Sequence, residues 1–344
     1  MSVTNGKIDR RGFLAGAAGL TGVALSVGAW KPVFAMETAS AGSLRDLVPA
    51  VQRVGHISFT LDERPAGFVS SAVGGSAFAD VVNEKVGPSP FVRKHIAGVK
   101  YEDITVSAGT GMSKAFYSWI QESFAGRTPA HSGSIAGTDF NFKVIEQRDF
   151  SSALITEVGF PALDAASKDA AKLSIKFQPE STRVRFGGGG SIQPGTVNQK
   201  LAKWDVNNFK LTINGMDTSF VSKIDAINFK WIYSSFNGET GSTFRQLSEI
   251  EVPNIKFAIA EAHAKDFFQW HQDFVINGNN SSENEKTGSL SFLSADLKTE
   301  LFRLDFSGLG IFALDPDPLL TTAKEIRHVT AQLYCDKSIF SFKI

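Results

Sequence analysis

Two long stretches of the chain repeat each other in one register, and that duplication limits the possible folds more than any other feature. SKAFYSWIQESF (residues 113–124) lies 151 residues ahead of AKDFFQWHQDFV (residues 264–275). The shift aligns Lys114 with Lys265, Phe116 with Phe267, Tyr117 with Phe268, Trp119 with Trp270 and Gln121 with Gln272. It also lays Ile104 on Ile255 and Val106 on Phe257. Upstream, ISFTL (57–61) falls on FKLTI (209–213), and FVS (68–70) on FVS (220–222), at 152. Downstream, GSI at 133 meets GSL at 288, DFSSALI (149–155) meets DFSGLGI (305–311), and SKDAAKLSIKF (167–177) meets AKEIRHVTAQL (323–333). The duplication therefore runs through both halves, with Phe116, Trp119, Phe267 and Trp270 as its recurring core.

Each unit reads as several short strands and one helix. ISFTL, DITVS, FNFKVI, KLSIKF and their partners alternate apolar and polar residues, which places side chains on the two faces of a sheet. Phe116, Trp119, Ile120 and Phe124 recur at helical spacing, as do Phe267, Trp270 and Val275, so one amphipathic helix flanks each sheet. Twenty-nine Phe against four Met and five Trp favour a β-rich aromatic core. Asn214 and Gly215 between FKLTI and the next apolar run predict a two-residue hairpin in the second unit, with a longer turn in the first. Four glycines (187–190) followed by Pro194 and Gly195 mark a boundary. The expected organisation is a leader over 1–35, a first β domain over 36–186, a linker over 187–206 and a second β domain over 207–344.

The leader carries the three-part layout of a targeting peptide. Lys7, Asp9, Arg10 and Arg11 form the charged start, RRGFL spans 10–14, and an apolar run rich in Gly and Ala extends to Trp30. Arg10, Arg11, Phe13 and Leu14 match the twin-arginine export motif, an address read by a receptor rather than an anchor. Val33, Phe34 and Ala35 offer a small-residue cleavage site at Ala35, with cleavage after Ala41 as the alternative. The expected partner at this step is the twin-arginine export machinery, and the expected destination is the periplasm, or the outside of a cell with one membrane. No membrane span is expected after cleavage. Such a route implies folding before export, and the lone Cys335 cannot make an intramolecular disulfide, so the core alone must hold the fold.

In these segments the chain resembles the tail tube proteins of contractile phages, the family related to the tube protein of type VI secretion. The resemblance is carried by AGFVSSAVGG (66–75), RKHIAGVKYEDITVSAG (93–109), the helix around Trp119 and GFPALDAASKDAAKLSIKF (159–177), and extends more weakly over 207–342. It implies a β-barrel or rolled sheet with a flanking helix, and subunits joined into hexameric rings. Two units per chain would then make a three-chain ring of pseudo-sixfold symmetry, the partner being the chain itself. The export signal and the duplication depart from the family pattern and suggest a tube-type fold reused outside the cytoplasmic membrane.

Nothing in the sequence forms a catalytic set. Equal numbers of basic and acidic residues, thirty-five each, argue against a nucleic-acid partner bound through its phosphates. His56, His95, His131, His263, His271 and His328 include no pair at metal-ligand spacing, although His263 and His271 are expected on one helix. Asp315 and Asp317, among prolines, read as a turn. The glycine run lacks the Lys and Ser/Thr of a phosphate loop. Cys335 reads as a buried thiol. No catalytic, metal or cofactor-binding residue is assigned, and no cofactor is expected. The leading expectation is a non-enzymatic assembly protein. Two alternatives are an exported enzyme or cofactor carrier with a site built from distant residues, and a binder of envelope polymer using Tyr101, Trp204 and Trp231 as platforms.

Overall fold

A computed structural model describes residues 53–343 apart from 86, 89, 188–189, 193–202, 238–242 and 320–325. Arg10, Arg11, Phe13, Leu14 and Ala35 of the expected leader lie outside the described residues, as does much of the glycine-rich stretch. Period-two burial builds most of the fold: β-strand ITVSA buries Ile104, Val106 and Ala108 and leaves Thr105 and Ser107 half-covered. The first half contains β1 (His56–Leu61), β2 (Arg64–Val69), β3 (Ser71–Gly74), β4 (Ala77–Glu84), β5 (Arg93–Tyr101), β6 (Ile104–Ala108), α1 (Lys114–Phe124), β7 (His131–Thr138), β8 (Val144–Phe160), β9 (Leu163–Asp164), β10 (Leu173–Gln178) and β11 (Ser181–Phe186). The second contains β12 (Phe209–Ile213), β13 (Val221–Ile224), β14 (Ile227–Asn237), β15 (Thr243–Glu251), β16 (Ile255–Ala260), α2 (Lys265–His271), β17 (Lys286–Leu293), β18 (Glu300–Pro316) and β19 (His328–Phe342).

The protein is mainly β, with curled sheets and few helices. One sheet runs β2-β1-β7-β8-β10-β6-β3, and another runs β12-β17-β18-β19-β16-β13-β9. Read from β1 and from β12, the two orders place corresponding segments at corresponding positions. The bulges correspond too: β10 slips against β8 between Lys176 and Phe177, and β19 against β18 opposite Ile311 and Ala313. The hairpins β4–β5 and β14–β15 also share a register, since Phe78 faces Lys100 as Lys230 faces Glu251, and Glu84 faces Arg93 as Phe236 faces Phe244.

Helix α1 starts at Ser113, whose hydroxyl accepts from the Phe116 N–H, and it buries Phe116, Tyr117, Trp119, Ile120 and Phe124. The second copy is shorter. α2 ends at His271 and the chain continues in a π turn, Gln272–Ile276, closed by the Asn277 N–H on the Gln272 carbonyl. His263 lies in a separate 3₁₀ turn before α2, so His263 and His271 do not share one helix.

Three local expectations are corrected. Asn214–Gly215 makes a turn but no hairpin: β12 pairs with β17 and β13 with β16. The two-residue hairpin stands in the first half, where Asp62 (φ 47°) and Glu63 (φ 64°) join β1 to β2. Of FNFKVI only Val144 and Ile145 are strand, because Phe142 takes φ 60° and the Asp139 carboxylate accepts from the Asn141 and Lys143 N–H groups, fixing a turn. Asp315 belongs to the end of β18, opposite Thr330, rather than to a turn.

One continuous apolar core serves both halves. Tyr117 of α1 packs on Phe302 and Phe342, Phe124 on Phe340, and Phe160 on Phe292 at 5.2 Å between ring centroids. Trp204, inside the expected linker, is buried against Phe292 and Phe302. Aromatic pairs at these distances contribute about 0.5–1.5 kcal/mol each beyond their buried area.

Candidate assembly interface

The two halves meet along a seam of paired strands. Ile227, Phe229 and Trp231 alternate along β14 and are all buried, because this strand, besides pairing with β15, pairs with the C-terminal end of β8 in the other half. Ile227 faces Phe160, Asn228 faces Gly159, Phe229 faces Val158 and Lys230 faces Glu157. The run continues where β9 pairs with β13, Ile224 facing Leu163 and Lys223 facing Asp164. The seam is one antiparallel stretch in which residues 157–164 oppose residues 223–230.

Side chains lock this stretch. Trp231 donates its indole N–H to the Ser123 carbonyl at 2.8 Å, and its ring meets Phe124 edge-on, as does Phe229. The Tyr233 hydroxyl donates to the Ile155 carbonyl at 2.9 Å, and burial pushes that phenol well above its ordinary value. Arg245 donates to the carbonyls of Gln178 (2.9 Å) and Ser152 (2.5 Å) across the seam, and desolvation lowers its pKa from the usual guanidinium value. Lys223 pairs with Asp164 at 3.0 Å on the rim. That carboxylate is lowered first by the Ala166 N–H and then by Lys223, as befits an exposed ion pair of small energy.

The corresponding hairpin of the first half has no such seat. Among the described residues β4 and β5 pair only with each other, and Val81, Ile96 (71 % exposed) and Val99 stand in solvent. These occupy the positions of Tyr233, Leu247 and Ile250, which pack on the shared core or at its margin. The hairpin departs through Gly74 and Gly75 at φ 92° and 79°, where a Cβ on Gly74 would lie 2.0 Å from the Asp103 carbonyl oxygen. Arg148 and Thr182 donate to the carbonyls of Gly74 and Gly75 and hold this bend.

The residues singled out in the sequence separate cleanly. Phe116, Trp119, Phe267 and Trp270 are all buried, and the Trp119 indole donates to the Pro129 carbonyl at 3.1 Å. Lys114, Lys265, Gln121 and Gln272 all lie on the solvent side of their helices, and Lys265 and Gln272 border an open hollow of about 530 Å³. Trp204 and Trp231 are buried and Tyr101 half-buried, so the two tryptophans are not exposed platforms. Of the histidines, His56 stacks on Phe142, His263 on Phe220, and His131 lies 2.5 Å from Asp62. Asp317 accepts from the His328 N–H at 2.7 Å. No group of three potential metal-ligating side chains occurs among the described residues. Cys335 is buried, and desolvation pushes its thiol up to about 11. Sequence reasoning missed both hairpins and the seam. The signal was present in the alternation of Ile227, Phe229 and Trp231, a buried strand by its period.

No protein-family model matches the chain, and no curated protein matches it. Solved structures do. The chain is similar to the tube-terminating cap of the anti-feeding prophage, with 19 % identity over 45 % of this chain and 100 % of that one, at a TM-score of 0.38. It is similar to a chain of the PVC sheath–tube complex, an extracellular contractile injection system in the extended state, with 18 % identity, 43 % and 99 % coverage and a TM-score of 0.36. Hcp1 from Flavobacterium johnsoniae aligns at 14 % identity over 39 % of this chain and 95 % of its own, with a TM-score of 0.24.

Proposed function

We propose that this chain is an exported, non-enzymatic structural protein, built from two copies of one tube-type unit and working by self-association into a closed ring of three chains with pseudo-sixfold symmetry. The observation that carries the reading is the correspondence of strand order, bulges and hairpin register between the halves. Two units already joined edge to edge within one chain are a natural segment of a larger ring. The sequence resemblance of 57–186 and 207–342 to tail tube proteins supports the same reading, and Arg10, Arg11, Phe13 and Leu14 support export in folded form through the twin-arginine machinery. In this reading 36–186 and 207–344 are the two units, and the leader is removed near Ala35.

The test is to express the full chain, isolate the exported product and determine its mass by light scattering alongside negative-stain microscopy. Rings of three chains are expected. A uniform monomer across the micromolar range would refute the ring, and an unprocessed product retained inside the cell, unaffected by Arg10→Lys with Arg11→Lys, would refute the export route.

A further inference from the structure

We propose that the β4–β5 hairpin of one copy docks on the uncovered end of β18 of a second copy, in the register that β14–β15 uses on β8 within the chain. The inference rests on the self-association reading and specifies its contact. Within the chain, Ile224 faces Leu163, Ile227 faces Phe160 and Lys230 faces Glu157. Moving the first strand back by 152 and the second forward by 156, the offsets that carry Lys223 to Ser71 and Ile155 to Ile311, converts these pairs. Ala72 comes opposite Leu319, Gly75 opposite Pro316, Ser76 opposite Asp315, Ala77 opposite Leu314 and Phe78 opposite Ala313.

Each strand of this second seam has an edge with no strand on it among the described residues, although Gly75 is buried and the Gly74 and Gly75 carbonyls accept from Arg148 and Thr182. In the described structure β3 is the last strand of its sheet, whereas its counterpart β13 is followed by β9. Beyond Leu309, β18 has β19 on one side and no strand on the other among the described residues. Exposure tells the same story position by position. Leu163 is 2 % exposed and its counterpart Leu319 is 83 % exposed. Val158, Gly159 and Phe160 are buried, while Leu314 is half-buried and Asp315 and Pro316 are open. Phe229 is buried in the seam and its counterpart Ala77 is exposed.

The surface beside that edge is apolar where the inner seam is apolar. Val275 stands in the place of Phe124, which receives Phe229 and Trp231, and Val275 is exposed together with its neighbour Phe312. Phe274, Val275, Ile311, Phe312 and Tyr334 line a hollow of about 250 Å³ there. The exposed Val81, Ile96 and Val99 face of β4–β5 matches this surface in chemistry. An open strand edge next to apolar side chains is a hazard unless something covers it, and here the cover is the other end of the same molecule. Gly74–Gly75 is one departure, since Ala226–Ile227 in the second half have no positive φ, and Pro316 in the place of Phe160, with no N–H to donate to the ladder, is another. Docking requires the hairpin to swing about these two glycines into line with the edge, releasing the Gly74 and Gly75 carbonyls from Arg148 and Thr182. Donor and acceptor are different surfaces, so the contact repeats head to tail until a ring closes.

The test is a disulfide placed across the register. Ser76→Cys with Asp315→Cys, in a Cys335→Ser background, puts two exposed thiols on directly opposed residues. Opposed residues in an antiparallel pair have Cα atoms about 4.5–5.5 Å apart, inside the window of about 4.4–6.8 Å that a disulfide needs. Asp80→Cys with Asp315→Cys is the off-register control, displaced by about 13 Å along the strand. The expected result is that most of the protein moves under mild oxidation from the one-chain band to a ladder ending at three chains, while the control stays at one. If light scattering shows association but neither pair cross-links, or both do equally, this register is overturned and self-association stands. If the protein is monomeric and uncross-linked, both readings fall.

Discussion

Phe229→Ala is the sharpest probe of a core shared by the two halves. Phe229 lies on a strand of the second half, yet its ring packs on Phe124 (4.7 Å) and Phe160 (6.2 Å) of the first, and it is essentially inaccessible to solvent. Truncating a buried Phe removes its transfer free energy and leaves a cavity that a rigid sheet cannot collapse, a loss of about 3–5 kcal/mol. With a urea slope of about 3 kcal/mol/M, the upper end of the range for small proteins, the midpoint falls by about 1–1.7 M. Urea denaturation should be followed by tryptophan fluorescence and by far-UV circular dichroism, with Phe236→Ala as the control. Phe236 lies on the same hairpin but is exposed, and its loss should stay within about 0.5 kcal/mol. If the halves share one core, both probes shift together in a single transition. A loss below about 1 kcal/mol, or two transitions of which only one moves, would contradict the shared core and the seam on which the assembly argument is built.

Three further outcomes are expected. Ser152 takes φ 47° where its counterpart in the second half is Gly308 at φ 67°. Ser152→Gly should therefore stabilise by about 0.5–1 kcal/mol in urea, whereas Gly308→Ala should destabilise, its Cβ meeting the Asp336 carboxylate at 2.5 Å. Cys335 is protonated more firmly folded than unfolded, so the stability it contributes is whole below its unfolded value near pH 8.5 and is lost as pH rises toward about 11. The native thiol should resist alkylation at pH 8, and Cys335→Ser should remove that part of the alkaline loss. Asp296 accepts from the Thr299 hydroxyl and the Thr299 and Lys298 N–H groups, which hold it at about 2. Its contribution is present above the ordinary carboxylate value and disappears as pH falls to about 2, so Asp296→Asn should flatten the acid limb of a melting-temperature profile between pH 5 and 2.

The elements legible in the sequence are those whose pattern is local. Period-two alternation gave β6 and β10, and the spacing of Phe116, Trp119, Ile120 and Phe124 gave α1. The mistakes are local too. Asn214–Gly215 has the chemistry of a hairpin turn, but the tertiary partners of β12 and β13 lie elsewhere, and the register between strands prevailed over turn preference. What no local pattern carries is the seam, because residues 157–160 find their partners about 70 residues later and nothing near Val158 specifies Phe229. The duplication supplies that missing information in a different form. Where one copy of a repeated edge is buried and the other is open, as with Leu163 and Leu319, the difference cannot come from the unit's own sequence pattern, which both copies share. It comes from the neighbour, which one edge has within the chain and the other lacks. An exposed counterpart of a buried residue in a tandem repeat therefore marks an interface more sharply than exposure alone, because the buried copy already displays the contact that the exposed copy is shaped to make.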